Sequence, residues 1–166
     1  SSAASDVYKR QVRSYLDIQK MRYGDRLDYQ IRIPEELKKL YTVKLLIQPL
    51  AENSIYHGIK ESDRKGTILI TAGEEPGGVY LCVRDDGLGI SQETLTILNA
   101  DLKRGVTVSD GGYGIFNVNE RIRLYFGRDY GLELRSCTGE WTEAVIHLPK
   151  YIPERTEWDV SDFDRR

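Results

Sequence analysis

Apolar positions along the chain change their period several times, and each change marks an element. Val12, Tyr15, Leu16 and Gln19 keep helical spacing up to Tyr23, and Gly24 ends that run. Leu27, Tyr29, Ile31 and Ile33 then alternate with Asp28, Gln30 and Arg32, the pattern of a half-buried strand that Pro34 stops. Glu35–Tyr41 reads as a short helical turn. Val43–Lys60 reads as a long helix with Ile47, Leu50, Ala51 and Ile55 inward and Gly58 near its end. Thr67–Ala72 and Val79–Asp85 are strands joined across Glu74-Glu75-Pro76-Gly77-Gly78. Ser91 is placed to cap a helix carrying Leu95, Leu98 and Leu102 at i, i+3 and i+7. Gly105–Gly112 is a polar, glycine-rich loop and Ile115–Phe126 a further helix. Leu132–Ser136 and Trp141–Leu148 form a last hairpin across Thr138-Gly139-Glu140.

This order predicts an α+β two-layer sandwich. A mixed, mostly antiparallel sheet is covered on one face by helices, and the other face stays wetter. The hairpins are not parallel crossovers, which excludes a doubly wound nucleotide fold. One domain spans 25–150, and 12–24 is the end of a connecting helix. Residues 1–11 read either as translated adapter sequence, on the run Asp6-Val7-Tyr8-Lys9-Arg10-Gln11, or as a loose natural terminus. Residues 151–166 read as a loose charged tail.

Composition narrows the function classes. The chain has 166 residues, 40% hydrophobic and 30% charged, with a formal net charge of −2. No global field would recruit nucleic acid or anionic lipid. Cys82 and Cys137 lack metal-ligand spacing, and Cys82 sits in a strand pattern as a small hydrophobe. No apolar run approaches the roughly 20 residues that cross a bilayer, and no signal peptide is visible. A cytoplasmic piece without direct membrane contact is expected.

Three separated blocks carry chemistry. In the long helix, Asn53, His57 and Lys60 fall at i, i+4 and i+7, a polar stripe opposite the apolar one. A neutral amide oxygen such as that of Asn53 suits magnesium, which completes its shell with water and phosphate oxygens. A solvated helix face is the other reading of this stripe. At the strand end, Asp85 follows Val79, Leu81 and Val83 onto the covered face. Ionised, it only accepts hydrogen bonds, which suits the exocyclic amine of adenine. Gly87 and Gly89 allow positive φ and close approach of a ligand to the backbone. The other reading is an ordinary Asp-Gly turn. In the third block, Gly111-Gly112-Tyr113-Gly114-Ile115-Phe116-Asn117, glycines leave N–H groups uncovered at a helix N-terminus, where phosphate is favoured. Asn117 and Arg121 could reach phosphate, as could Lys103 and Arg104 if the loop closes as a lid; Arg121, Lys103 and Arg104 could equally be charges facing solvent. The block lacks the Gly-Lys-Ser/Thr ending of a P-loop.

In this order the blocks resemble the N, G1 and G2 boxes of the GHKL superfamily, which shares the Bergerat ATP-binding fold. The segments Gln48-Pro49-Leu50-Ala51-Glu52-Asn53, His57-Gly58, Asp85-x-Gly87-x-Gly89-Ile90 and Gly112-x-Gly114-Ile115-x-Asn117-Val118-Asn119-Glu120-Arg121 are similar to those of bacterial sensor histidine kinases of the LytS/YesM type. The resemblance runs from about Tyr15 to Pro149. It implies ATP and Mg2+ as ligands, with a magnesium ligand at Asn53 and an adenine contact at Asp85. It implies backbone roles for Gly87, Gly89, Gly112 and Gly114, and a ring beside the nucleotide at His57. Lys60, Tyr113, Ile115 and Asn117 lie in the same boxes and join the nucleotide-binding set. Two positions depart from the family pattern. Tyr56 stands where a basic residue often touches phosphate, and Asp86 stands where Asn is common.

The resemblance further implies transfer of the ATP γ-phosphoryl group to a histidine. Only His57 and His147 exist in the chain. The first lies in the proposed site and the second in the last strand, so the acceptor is expected on upstream dimerisation helices. The expected downstream partner is a response regulator, the parent a membrane-anchored bacterial sensor, and the isolated chain weak in self-phosphorylation. The competing reading is a GHKL-type ATPase or a nucleotide-binding module without kinase activity. Pro49 stands where such ATPases place a water-activating glutamate. Glu52 is turned about 100° from Asn53 and is at most an accessory proton acceptor.

Overall fold

The structure, a computed structural model, describes residues 2–38, 41–107 and 114–150. Helix α1 (Ser2–Tyr23) begins ahead of the Val12 start that periodicity suggests, and it leads through a 3-10 turn at Gly24–Arg26 into strand β1 (Leu27–Arg32). Helices α2 (Glu35–Lys38) and α3 (Tyr41–Ser54) follow, and α3 continues as a π-helical turn, Ile55–Ile59. Strands β2 (Gly66–Glu75) and β3 (Gly78–Asp85) form a hairpin closed by Pro76 and Gly77. Helix α4 (Gln92–Arg104) is capped by Ser91, whose hydroxyl accepts from Thr94 N–H at 3.2 Å. Gly105 ends it in the left-handed region at φ 71°, the usual glycine stop. Helix α5 (Gly114–Phe126) and strands β4 (Gly131–Cys137) and β5 (Trp141–Leu148) complete the order.

The five strands form one sheet in the order β1-β2-β3-β5-β4. β1 pairs with β2 in parallel, with Leu27 opposite Gly66, and every other pairing is antiparallel. This is the mixed, mostly antiparallel sheet that the hairpins predict. Its inner face carries Ile68 and Ile70 of β2, Leu81 and Val83 of β3, and Ala144 and Ile146 of β5, all buried beneath the helices. Leu46, Leu50 and Ile59 of the α3 limb and Ile115 and Ile122 of α5 fill the second layer. Two asparagines fasten β4 to the helices above it. Asn119, 1% exposed, donates to Leu102 O at 2.8 Å and accepts from Leu132 N–H at 2.9 Å. Asn99 does the same for both backbone groups of Leu134. The outer face carries Tyr80, Arg84, Glu143 and His147 and has no helix over it among the described residues.

The widened end of α3 decides which side chains reach the rim of the sheet. Lys60 N–H donates to Ile55 O at 2.8 Å, an i to i+5 bond. A wider turn holds an extra residue, so every side chain beyond it is rotated backwards. Burial accordingly repeats every fourth residue. Ala51, Ile55 and Ile59 are buried, Asn53 and His57 are half-buried, and Glu52, Tyr56 and Lys60 are exposed.

Candidate functional site

Asp85 is the buried acid of the molecule's rim. Period-2 alternation carries it onto the inner face after Val79, Leu81 and Val83, and it is 3% exposed. Gly87 N–H donates to its Oδ1 at 3.0 Å, and the Ser54 hydroxyl donates to the same carboxyl group. Burial raises the Asp85 pKa from an ordinary 3.8 to about 6, because lost hydration outweighs those two bonds. An ionised carboxylate offers about four lone-pair sites. Two neutral donors therefore leave acceptor capacity for a ligand N–H.

Glycines let the elements close around this carboxyl. A Cβ on Gly58 would stand 2.4 Å from Asp85 Oδ1, and a Cβ on Gly87 would stand 2.4 Å from Gly58 O. Gly58 is thus a point of close packing within the π turn, near the end of the helical limb where its sequence position places it. Gly89 has φ +69°, and a Cβ there would stand 2.2 Å from Cys137 O. The turn after β3 is strapped to the β4–β5 loop beneath it. Gly139 N–H donates to Leu88 O at 2.6 Å, Ile90 N–H to Ser136 Oγ at 2.8 Å, and Thr138 Oγ1 to Ile90 O at 3.0 Å. Asp86 accepts from Thr67 N–H at 2.6 Å and so holds the sheet side of the turn.

The helix block meets Asp85 directly through Ser54 and Gly58, while its polar stripe differs from the sequence reading. Asn53 and His57 stay in line. Lys60 does not join them; the wide turn moves it onto the exposed stripe of Glu52 and Tyr56, with its Nζ 4.8 Å from the Tyr56 ring centroid. The Tyr56 and His57 rings meet edge to face at 4.8 Å. Burial lowers the His57 pKa from 6.5, against an opposing pull from Glu61. Glu52 accepts from Gln48 Nε2 at 3.1 Å, within its own helix.

Of the third block, Gly111, Gly112 and Tyr113 lie outside the described residues. Gly114 opens α5, where a Cβ would meet nothing. Ile115 is 2% exposed and packs in the core, and Asn117 is on the exposed side of the helix. α5 packs against α3, the helix that carries Asn53 and Ser54. At the end of α4, Arg104 pairs with Asp101. Sequence reading did not single out Ser54. Its signal was a small hydroxyl on the inward side of a helix, one residue after Asn53. Among the described residues no three His, Cys, Asp or Glu side chains gather as a metal site. A cation here would depend on neutral oxygen such as the Asn53 amide and on phosphates of the ligand itself.

Comparisons with known proteins point to one family. A family model described as histidine kinase-, DNA gyrase B-, and HSP90-like ATPase matches residues 40–152. The sensor histidine kinase YesM of Bacillus subtilis is 36% identical over 138 residues, covering 83% of this chain and 22% of YesM. The sensor histidine kinase YpdA of Escherichia coli is 34% identical over 139 residues, covering 84% of this chain and 23% of YpdA. The chain thus spans less than a quarter of these relatives. Among solved structures, the catalytic domain of histidine kinase ThkA superposes with a TM-score of 0.63 at 16% identity, covering 87% of this chain and 91% of that one. ThkA has also been solved in complex with the response regulator protein TrrA, with a TM-score of 0.58 at 16% identity, covering 90% of this chain and 41% of that one.

Proposed function

The chain belongs to the histidine kinase-, DNA gyrase B-, and HSP90-like ATPase family, and we propose that it is the domain of a sensor histidine kinase that presents Mg-ATP for γ-phosphoryl transfer to a histidine on another segment. The observation that supports this most is the enclosure of the Asp85 carboxyl by Ser54, Gly58 and Gly87, from two of the three blocks.

In this reading Asp85 accepts from the exocyclic amine of adenine, and Gly87 and Gly89 let the base lie against the backbone. His57 offers a half-buried ring beside it, kept neutral at pH 7 by its lowered pKa. Asn53 is the protein ligand for magnesium, whose positive charge offsets that of the phosphates when it is bound. Gly112, Tyr113, Gly114 and Asn117 border the phosphate end at the N-terminus of α5. Ile115 supports that end from the core. Lys60 serves through the ring of Tyr56, not from the Asn53 stripe. Protein catalysis of such a transfer is mostly positioning and charge stabilisation. This chain's contribution is accordingly to hold the nucleotide. The histidine acceptor on upstream helices, the response regulator and membrane anchoring of the parent belong to the same proposal. Among the described residues no helix is long and apolar enough to cross a membrane.

Calorimetry with Mg-ATP tests the binding half. The unmutated chain binds, Asp85→Asn loses at least a hundredfold in affinity, and Asn53→Ala loses affinity only when magnesium is present. Adding a purified histidine-bearing acceptor segment from a relative such as YesM tests the transfer half. Labelled phosphate moves to the acceptor if the domain is a kinase. Rapid release of phosphate without an acceptor would instead favour the ATPase reading, which Pro49 in α3 already disfavours.

A further inference from the structure

Resting on the nucleotide reading of the Asp85 turn, we propose that Arg64 is a positioning residue that fixes this turn from outside in its base-accepting form. The Arg64 Nη2 donates to Gly87 O at 3.2 Å and to Gly139 O at 2.7 Å. That nitrogen carries two hydrogens, so one group serves both carbonyls. The two carbonyls belong to different elements, the turn after β3 and the loop between β4 and β5. Gly139 already donates to Leu88 O, and Arg64 joins the same two segments one residue earlier in the turn.

Position 87 needs such a restraint. Gly87 has no Cβ to narrow its backbone choices, and a Cβ is excluded by the Gly58 carbonyl. Its conformation is set instead by bonds at both of its peptide groups. On one side its N–H donates to Asp85 Oδ1, and on the other its carbonyl accepts from Arg64. Releasing the carbonyl frees the residue that orients the Asp85 carboxyl.

Arg64 also has a firm base. The Arg26 guanidinium donates to the carbonyl of Ser62, which is 4% exposed, and Arg64 N–H donates to Ser62 Oγ at 3.3 Å. On its other side Lys65 pairs with Asp28 at 2.7 Å, and Asp28 is also held by Lys20 of α1 at 2.7 Å. The loop is thereby tied to the start of β1 on both flanks of Arg64. Arg64 itself lies apart from the Asp85 carboxyl and acts only through Gly87 and Gly139.

The test compares the unmutated chain with Arg64→Ala and Arg64→Lys by calorimetry against adenosine, ADP and Mg-ATP, and by amide exchange without nucleotide. Arg64→Ala is expected to weaken all three ligands by the same factor, about three- to tenfold, the range of one ordinary hydrogen bond, because Arg64 reaches the ligand only through the Gly87 turn. Exchange of the Gly139 amide rises several-fold in this variant without any ligand. Arg64→Lys keeps a charged donor and recovers part of the affinity at an unchanged melting temperature. Binding by Arg64→Ala equal to that of the unmutated chain, or unchanged exchange at Gly139, overturns the proposal alone. A loss that grows with the number of phosphates overturns it too, since Arg64 would then touch phosphate directly. Failure of the unmutated chain to bind any of the three ligands overturns the nucleotide reading and this proposal with it.

Discussion

The two faces of β3 hold opposite charges in opposite settings. On the helix-covered face Val79, Leu81 and Val83 lead to Asp85, which receives only neutral donors, Gly87 N–H and the Ser54 hydroxyl. On the open face Tyr80 and Cys82 lead to Arg84, which pairs with Glu143 at 2.9 Å and lies 4.3 Å from the Trp141 ring. The base has a paired carboxylate and partial exposure; the acid is buried and, among the described residues, in no ion pair. Asp28 on β1 sharpens the contrast, because Lys20 and Lys65 hold its carboxyl down at about 2 while burial lifts that of Asp85 to about 6. A charge already matched by its neighbours has little left to offer a ligand. The unmatched one is where binding can supply what folding did not.

The largest expected effect is on the covered face itself. Leu81→Ala removes a fully buried side chain between the layers and should cost about 2–5 kcal/mol in urea unfolding. Cys82→Ala, on the other face of the same strand, should cost clearly less. Equal losses would mean that the core is not confined to the helix side.

Asp85→Asn comes next, and its effect should change with pH. The folded-state pKa of Asp85 lies above its ordinary value. The folded chain therefore binds more protons between pH 4 and 6, and stability falls as pH rises through that window. At pH 7 the ionised carboxyl lowers stability by up to about 3 kcal/mol, which Asn removes. Asp85→Asn should thus melt higher than the unmutated chain at pH 7 and about equally at pH 4. A melting temperature lowered at both pH values would show that the carboxylate is satisfied as it stands.

Gly58→Ala pushes a methyl group against the Asp85 carboxyl and should cost about 1–3 kcal/mol by overpacking. It should also weaken nucleotide binding. Arg84→Ala is expected to be the mildest, below about 1 kcal/mol and smaller still in high salt, because its pair is partly exposed. An Arg84→Ala effect larger than that of Gly58→Ala would reverse the comparison between the faces.

Strands, caps and hairpins were legible where local chemistry decides them. The alternation in Val79–Asp85 placed Asp85 on the covered face, and Ser91 announced α4 with its own hydroxyl. The reading of Lys60 as a partner of Asn53 assumed a constant 3.6-residue period. The π turn at Ile55–Ile59 breaks that period, and nothing in the local propensities of Ile-Tyr-His-Gly-Ile demands it. What permits it is tertiary: Asp85, 27 residues further along the chain, reaches the Gly58 backbone only once the sheet has formed. Arg64 was equally silent, since a polar loop residue shows its role only when Gly87 and Gly139 are brought beside it.

The most direct test of the account is the affinity of the unmutated chain for Mg-ATP measured by calorimetry from pH 5 to pH 8. If the Asp85 carboxylate receives the base, affinity holds steady above pH 7 and weakens as pH falls through about 6, where that carboxyl takes up a proton. Affinity that is flat across this range, or that strengthens on acidification, would contradict it.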